Sequence, residues 1–324
     1  MKRRELLAAA CALATGTGVR AHASSGVRRV VFAFGATDAG RERFVRMFAE
    51  HGFVAGRNLV LEFVDVIGSR APEQEKLAQD VVASRPDVIA LPALEPLFLF
   101  QRLTRDIPIV FYNYGADPVR VGLVASLRRP GGNITGTTQL LTQMLPKSMA
   151  LLKELRPRGR HSAMLMTEDA AQAPHIPLLR EVHAAAAQEL GLTTAEILLP
   201  DPASLETVRA LVGKADFLII DNSVYRMPWM DAFLQHLIEI RTPALYLLTE
   251  MVRRGGLLSV TADFAEGQKM GIAIVARILR GESPATIPVH QVTRYRTAIN
   301  LRTASAMGIE VPPSVVIQAN EVIR

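Results

Sequence analysis

The stretch that decides the fold is residues 109–136, IVFYNYGADPVRVGLVASLRRPGGNITG. The apolar, β-prone run at residues 109–112 predicts a strand. The strand is predicted to break at Asn113, Gly115 and the Asp117-Pro118 step, because glycine and X-Pro disfavour continued regular structure. A PGGN turn then restarts the chain as a strand at residues 134–137. A strand, a polar loop at its carboxyl end and a tight return are typical of the edge of a small-molecule cleft. An ordinary β-loop-β connection has the same pattern.

Working outward, short apolar runs alternate with segments of helical periodicity. Before this stretch the pattern predicts strands at residues 30–34, 59–64 and 88–91 and helices at residues 41–52, 73–84 and 97–104. After it the pattern predicts strands at residues 162–166, 197–199, 217–220, 244–247, 257–260 and 294–300 and helices at residues 147–155, 177–190, 205–212, 230–240, 266–279 and 301–307. This alternation predicts the α/β class, with parallel sheets covered by helices on both faces. Two consecutive blocks of similar size predict two lobes that face each other across a cleft.

The first 23 residues have the pattern of an export signal peptide. A charged start at residues 2–4 precedes a short apolar run at residues 6–14, and Ala21-His22-Ala23 is a small-x-small cleavage site. The apolar run is shorter than the roughly 20 residues that a membrane-spanning helix needs, so no transmembrane segment is predicted. The Arg3-Arg4 pair also resembles a twin-arginine signal. Ordinary secretion and the twin-arginine route both stay open.

Charge and cysteine content exclude several classes of function. The formal net charge is +6, and the leader holds four of the 37 basic and one of the 31 acidic residues, which leaves 33 and 30. Such a small excess argues against a nucleic-acid partner. The single cysteine, Cys11, lies in the leader. The processed chain is therefore expected to have no disulfide, thiol nucleophile or thiolate metal site.

The sequence contains no recognisable catalytic or cofactor motif. It lacks the G-x-G-x-x-G, P-loop and G-x-S-x-G patterns, and its histidines are scattered without metal-ligand spacing. Glu168 and Asp169 are adjacent, and adjacent carboxylates on a strand or turn point apart, which makes a poor acid–base pair. We therefore expect no enzymatic activity, no cofactor and no metal.

Polar side chains at the ends of predicted strands are the candidate ligand-binding residues. In open α/β sheets, ligands bind outside the carboxyl ends of the strands. Hydroxyl groups and free helix amides suit a carboxylate, and acidic groups suit an ammonium group, so a zwitterionic amino acid or related metabolite would use both. The predicted ligand-binding residues are Thr37, Asp38, Glu95, Asn113, Asp117, Thr137, Glu168, Asn222, Ser223 and Glu250.

Each of these residues also has a simpler structural interpretation. Asp38 and Ser223 could cap helices, and Asn113 and Asp117 could shape a turn. The aromatic residues near strand ends could line a pocket, but such positions belong more often to the core. They are Tyr112, Tyr225 and Trp229.

The same regions resemble the ABC-transporter substrate-binding proteins related to bacterial tryptophan and tyrosine importers. The resemblance is strongest in DPV at residues 117–119, GLVASL at 122–127 and RPGGNITG at 129–136. Further matching segments follow in the family's order along nearly the whole chain. They are GFVAGRNL at 52–59, PDVI at 86–89, RGGL at 254–257, AINLRTA at 298–304 and EVI at 321–323.

This resemblance implies the type I periplasmic binding fold, with crossings between lobes near Thr138, Asp263 and Tyr295. The implied segments are a signal peptide at 1–23, an N-terminal lobe at 27–138 and 263–294, and a C-terminal lobe at 139–262 and 295–324. The implied function is capture of a small-molecule ligand in the periplasm by a monomer. The implied partners are the permease and ATPase subunits of an ABC importer.

Two departures from the family pattern bear on the ligand. Residues 44–48, FVRMF, lack the family's glycine, and residues 91–96, LPALEP, replace a turn of small residues with a bulkier acidic one. Glu95 in that turn would favour a cationic or amine-bearing ligand. Two alternative functions stay open: a binding protein that serves a signalling receptor, and an exported α/β enzyme with an unrecognised site.

Overall fold

The computed structural model describes residues 26–69, 72–92, 96–139, 141–200, 203–225 and 227–324. The strands are β1 (Arg28–Phe32), β2 (Leu59–Phe63), β3 (Val88–Pro92), β4 (Ile109–Tyr114), β5 (Ile134–Thr138), β6 (His161–Thr167), β7 (Thr193–Leu199), β8 (Phe217–Ile220), β9 (Ala244–Tyr246), β10 (Leu258–Ala262), β11 (His290–Gln291), β12 (Tyr295–Asn300) and β13 (Glu321–Ile323). The helices are α1 (Asp38–Ala49), α2 (Glu73–Ala83), α3 (Pro96–Leu103), α4 (Leu141–Leu155), α5 (Ile176–Glu189), α6 (Leu205–Val212), α7 (Met230–Glu239), α8 (Thr249–Arg253), α9 (Phe264–Leu279), α10 (Leu301–Ala306) and α11 (Pro313–Gln318).

These strands form two sheets, as the sequence predicted. The first has the order β11-β5-β4-β3-β1-β2, and the second has the order β13-β12-β10-β9-β8-β6-β7. Every described pairing in the first sheet is parallel. In the second sheet, β10 and β12 are antiparallel while the other pairs are parallel. The predicted α/β class with two parallel-dominated sheets is confirmed. We call each sheet with its packed helices a lobe.

Helices cover both faces of the first sheet. Successive side chains of its strands point to opposite faces and therefore pack into two different cores. On β1, Val30 and Phe32 pack with Phe48 and Val275 on the face covered by α1 and α9. Val31 packs on the other face, which α2 and α3 cover. Burial on both faces explains why β3 and β4 are almost continuous apolar runs rather than alternating ones.

The chain passes between the two sheets after β5, after β10 and after β11. The first passage leads into α4, which packs on β9 and β10, and the second leads into α9, which packs on β3, β4 and β5. The third lies in the short segment between Gln291 and Tyr295. The residue boundaries that the sequence suggested for the lobes stay a prediction.

Two elements differ from the sequence-based prediction in the region of the first passage. β4 continues through Asn113 to Tyr114, with an irregular register against β5 after Phe111, so the predicted break at residue 113 is wrong. α4 begins at Leu141 rather than at residue 147, and Pro146 lies inside it. Proline disfavours the interior of a helix, because it removes a backbone donor and its ring clashes with the preceding turn. The helix contains it because its apolar residues pack on the second lobe.

Several short elements were missed because they have no periodicity of their own. α8, β11, α11 and β13 are between two and six residues long. β13 exists because Glu321 to Ile323 pair with Ala298 to Asn300 on β12. The first half of β7 was missed for a related reason: residues 193–196 are exposed, and their strand conformation depends on pairing with β6.

Gly136 is required on β5 by the close approach of β4. A Cβ atom at this position would lie 1.9 Å from the carbonyl oxygen of Phe111. Since that oxygen belongs to backbone inside a sheet, it cannot move without disturbing the pairing of the two strands.

We expect Gly136→Ala to lower the free energy of unfolding by about 1–3 kcal/mol, the usual cost of overpacking a core. Urea denaturation of the variant and the wild type measures this difference in unfolding free energy. Gly132→Ala is the matched control, because a Cβ atom there meets nothing within 4 Å. Equal losses in the two variants would contradict this explanation.

A buried polar pair lies inside the second lobe. The Nε2 atom of His183 on α5 is 2.9 Å from the Oγ atom of Ser162 on β6, and the two residues are 2% and 1% exposed. Burial lowers the pKa of His183 to about 4, against the opposing effect of the nearby Glu196 carboxylate. Its burial makes this pair structural rather than catalytic.

Stability should consequently fall as the solution is acidified. Between pH 7.5 and pH 4 the unfolded chain gains a proton on His183, whose ordinary pKa is 6.5. In the folded chain, burial keeps this imidazole neutral over most of that range. We expect this residue to remove about 3 kcal/mol of unfolding free energy over that range. Urea denaturation of His183→Gln should lack this part of the pH dependence, whereas the exposed-site variant His161→Gln should keep it. An unchanged pH dependence in His183→Gln would refute the assignment.

Candidate functional site

The candidate functional site is the space between the carboxyl edges of the two sheets. Arg120 lies in the loop after β4, and its Nη2 atom is 2.8 Å from Oε2 of Glu181 near the start of α5. Since α5 follows the carboxyl end of β6, the contact brings the carboxyl edges of both sheets to face one another. We call the space between them the inter-lobe cleft.

Two predicted ligand-binding residues of the first lobe, Thr37 and Asp117, make local hydrogen bonds to the backbone, and ligand contact by these residues and by Asp38 stays a prediction. Thr37 caps α1, because its Oγ1 accepts from the backbone N–H of Gly40 at 3.3 Å, and Asp38 is the first residue of that helix and exposed. The simpler structural interpretation had Asp38 as the cap, and Thr37 takes that role instead. The carboxylate of Asp117 accepts the backbone N–H of Val119 at 2.9 Å, as the turn interpretation expects.

Thr137 is turned away from solvent at the end of β5. Its hydroxyl donates to the carbonyl oxygen of Gly267 on α9 at 3.2 Å, and the residue is completely buried. Glu95 and the side chain of Asn113 lie outside the described residues. The contribution of these three residues to ligand binding stays a prediction.

In the second lobe, the predicted residues lie at the ends of β6 and β8 and on α8. Glu168 and Asn222 are exposed. Ser223 does not cap a helix: its Oγ accepts from the backbone N–H of Thr167 at 3.2 Å and so joins the ends of β6 and β8. Glu250 is exposed in the first turn of α8 and pairs with Arg253 at 3.3 Å. These positions place polar groups along the cleft edge, and their contact with a ligand stays a prediction.

The aromatic residues near the strand ends belong to the cores. Tyr112 is 4% exposed and packs beside Gly271 of α9, and burial raises the pKa of its phenol well above the ordinary value. The indole N–H of Trp229 donates to the carbonyl oxygen of Ala203 at 2.8 Å. Tyr225 packs against the core of the second lobe. The structural interpretation of these rings is the one that the geometry favours.

A cavity of about 280 Å³ lies where the carboxyl edge of the second sheet meets the start of α9. We call it the hinge-side pocket, because the chain passes between lobes at this point. Its volume is close to the lower limit of roughly 300 Å³ for small-molecule pockets. It is lined by Leu248, Thr249, Thr261, Ala262, Asp263, Phe264, Ala265 and Arg296.

Asp263 is the central polar group of this pocket. Its Oδ1 caps α9 by accepting the backbone N–H groups of Ala265 at 3.0 Å and Glu266 at 3.3 Å. Its Oδ2 lies 3.5 Å from Nε of Arg296, and the two side chains are 12% and 65% exposed. This separation is longer than a good hydrogen bond. A ligand could therefore take either charged group as its own partner.

Two hydroxyl groups complete the polar lining. The Oγ1 atoms of Thr249, at the start of α8, and Thr261, near the end of β10, are 3.3 Å apart. Thr261 and Arg296 were not among the residues predicted from the sequence, and Asp263 was predicted only as a crossing point. The strand-end rule that selected the other residues applies equally to Asp263, which directly follows β10.

A second acidic residue of α9 holds the crossings together. The Glu266 carboxylate lies 3.1 Å from Arg294 and 3.3 Å from His290. Partial burial favours the neutral acid, but the hydrogen bonds from Arg294 and His290 hold the pKa of Glu266 below its usual value. The carboxylate of Glu266 is thus already hydrogen-bonded to β11 and to the segment between β11 and β12.

A much smaller apolar space lies under the edge of the second sheet. Its volume of about 10 Å³ is comparable with a single water molecule. It lies among Met144, Leu145, Ser148, Met164, Leu179, Ile219, Asp221, Leu245, Leu247 and Val260. In this arrangement it is a packing space rather than a ligand site.

The described residues include no group of three or more His, Cys, Asp or Glu side chains arranged to hold a metal ion. Nor do they include a helix that is both long and apolar enough to cross a bilayer.

The chain belongs to the family of ABC transporter substrate binding proteins, whose profile matches residues 35–323. It is 24% identical over 278 residues to the tyrosine-binding protein of Clostridioides difficile strain R20291, covering 84% of this chain and 77% of that protein. The expected family is thereby confirmed.

Solved structures with the same fold include a domain from Streptococcus pneumoniae in complex with L-Trp. It has a TM-score of 0.79 and 22% identity, and covers 92% of this chain and 100% of that one. A ligand-free, open substrate-binding protein with adhesive properties from Clostridium difficile gives a TM-score of 0.64 at 23% identity, with 92% and 99% covered. These likenesses establish the type I periplasmic binding fold, and the family match establishes that the protein is the substrate-binding component of an ABC transporter.

Proposed function

We propose that the protein captures an amino acid or a related small metabolite in the inter-lobe cleft and delivers it to a membrane permease energised by an ATPase. The hinge-side pocket carries this proposal, because it offers a carboxylate, a guanidinium and two hydroxyl groups within one small cavity. The name of the tyrosine-binding relative and the L-Trp in the pneumococcal structure support an amino acid as the ligand.

The charges of the pocket suit a zwitterion. The partly free carboxylate of Asp263 matches an ammonium group, and the exposed guanidinium of Arg296 matches a carboxylate, because charge-assisted pairs of this kind are the strongest hydrogen bonds available. The hydroxyl groups of Thr249 and Thr261 add neutral partners. The predicted residues along the cleft edge would contact the rest of the molecule.

Closure of the lobes would complete the site. Asp263 and the start of α9 continue into the first lobe, whereas Thr249, Thr261 and Arg296 belong to the second sheet or its edge. A ligand held in this pocket gains contacts with the rest of the first lobe only when the lobes approach, and such differential contacts drive hinge closure. The lobe boundaries expected from the sequence, near residues 138, 263 and 295, place the hinges at the crossings.

Membership of the family also supports a proposal for the location of the protein and for its partners. Proteins of this family are typically exported, and we propose a periplasmic location with export by the twin-arginine or the general route, which cell fractionation tests. We propose that the protein acts as a monomer without enzymatic activity, and that the permease recognises its closed form.

A thermal-shift screen should identify the ligand. A compound that binds only the folded state, at 100 times its dissociation constant, adds about 2.7 kcal/mol to the unfolding free energy. That gain should raise the melting temperature by a few degrees. The panel should contain the aromatic amino acids, other amino acids and amines, with the protein unfolded and refolded beforehand to remove bound solute. A hit that is recovered chemically unchanged supports the proposal, whereas turnover of the compound would establish an enzyme.

Substitution of Asp263 then tests the pocket. Asparagine caps helices as well as aspartate does, so Asp263→Asn should keep wild-type stability but lose the negative charge. Since a hydrogen bond to a charged group contributes about 1.5–3 kcal/mol, ligand affinity measured by calorimetry should fall roughly 10- to 100-fold.

The control for this experiment is Asp87→Asn at the opposite edge of the first sheet. Asp87 pairs with Arg28 at 3.0 Å, far from the carboxyl ends of the strands. Asp87→Asn should therefore leave the affinity for the ligand unchanged. Equal affinity of Asp263→Asn and the wild type would show that the ligand binds elsewhere in the cleft.

A further inference from the structure

Arg120 and Glu181 form an ion pair across the inter-lobe cleft. The two charged atoms are 2.8 Å apart, and the side chains are 51% and 63% exposed. Arg120 belongs to a loop of the first lobe and Glu181 to a helix of the second. A rotation that moves this loop away from α5 separates the two charges, so the pair stabilises the arrangement in which the loop and the helix are close.

The loop that carries Arg120 is held in a fixed conformation. The carboxylate of Asp117 accepts the backbone N–H groups of Val119 and Arg120, at 2.9 and 3.4 Å. The side chain of Gln101 on α3 donates to the carbonyl oxygen of Gly122 at 2.9 Å. The next residues, Leu123 and Val124, are buried in the core of the first lobe.

This anchoring matters because exposed ion pairs usually lose much of their energy to side-chain ordering. The backbone of Arg120 is fixed by its turn, and that of Glu181 is fixed within α5. Only side-chain freedom is then lost when the pair forms. The same turn explains why Asp117 is needed at a position where the sequence suggested a ligand contact.

We propose that Arg120 and Glu181 form a latch that favours the closed arrangement of the lobes before ligand arrives. An exposed pair of this kind should raise the ratio of closed to open molecules about 1.4- to 5-fold. Where the empty protein is mostly open, the latch raises ligand affinity by the same factor, since apparent affinity scales with the binding-competent fraction. The effect on affinity depends on the proposed function, whereas the effect on closure does not.

Single-molecule fluorescence transfer between the lobes measures closure directly. Dyes are attached to cysteines introduced at the exposed positions Val54 and Leu211, one in each lobe, in a chain with Cys11→Ser. Without ligand, Glu181→Gln should reduce the closed-to-open ratio about 1.4- to 5-fold. The double variant Arg120→Glu/Glu181→Arg should restore it, because the pair then forms with its charges exchanged.

Glu196→Gln is the matched control. Glu196 on β7 pairs with Arg180, which lies on the same helix as Glu181, but this ion pair stays inside the second lobe. Its loss should leave the distance distribution unchanged.

Salt provides a second test, since it screens exposed charges. High salt should shift the wild type toward the open form and leave the closed-to-open ratio of Glu181→Gln unchanged.

The proposal is overturned if Glu181→Gln has the closed-to-open ratio of the wild type, or if the charge-exchanged variant stays as open as the single variant. Because none of these measurements contains a ligand, they can fail while the protein still binds an amino acid. Equally, a protein that binds no compound of the panel can still show the latch.

Discussion

The packing of α9 across the first sheet is the constraint on which the remaining structure depends. The helix lies so close to β4 that a Cβ atom at Gly271 would be 2.9 Å from Cβ of Tyr112. The hydroxyl of Thr137 on β5 donates to its backbone at Gly267. Held in this way, α9 directs its first turn toward the second sheet, where Asp263 both caps the helix and lines the hinge-side pocket. Packing in one lobe thus determines where a charged group stands between the two.

Strand-end polar residues in this protein divide into two kinds. Thr37, Asp117 and Ser223 satisfy backbone N–H groups next to them, as exposed loops commonly require. Asp263 differs because one oxygen caps the helix while the other faces Arg296 at 3.5 Å. The hydrogen bonds to the helix fix the orientation of this carboxylate. Its second oxygen can still accept a hydrogen bond from a ligand. Pre-positioning of this kind lowers the cost of ordering a binding site.

The sequence predicted those features that depend on local pattern. The long strands and helices were found because burial on one or both faces leaves a period in the apolar residues, as in β8 and α6, whose predicted and observed limits agree. Features that depend on distant partners were missed: β13 requires β12, and the first half of β7 requires β6. The hinge-side pocket belongs to this second kind, because Thr249, Thr261 and Arg296 meet only after β9, β10 and β12 have paired. No spacing in the sequence brings these three residues together.

The arrangement of the sheets also has a consequence for how the chain is made. The core of the first lobe is closed by α9 and its sheet by β11, and the second sheet is completed by β12 and β13, so both lobes draw on residues after 262. Neither lobe is therefore a contiguous unit that can finish folding while the rest is still being synthesised. Both wait for the same last fifth of the chain, and contacts of such long sequence separation form slowly. Neither sheet can be completed before this shared last part of the chain is available.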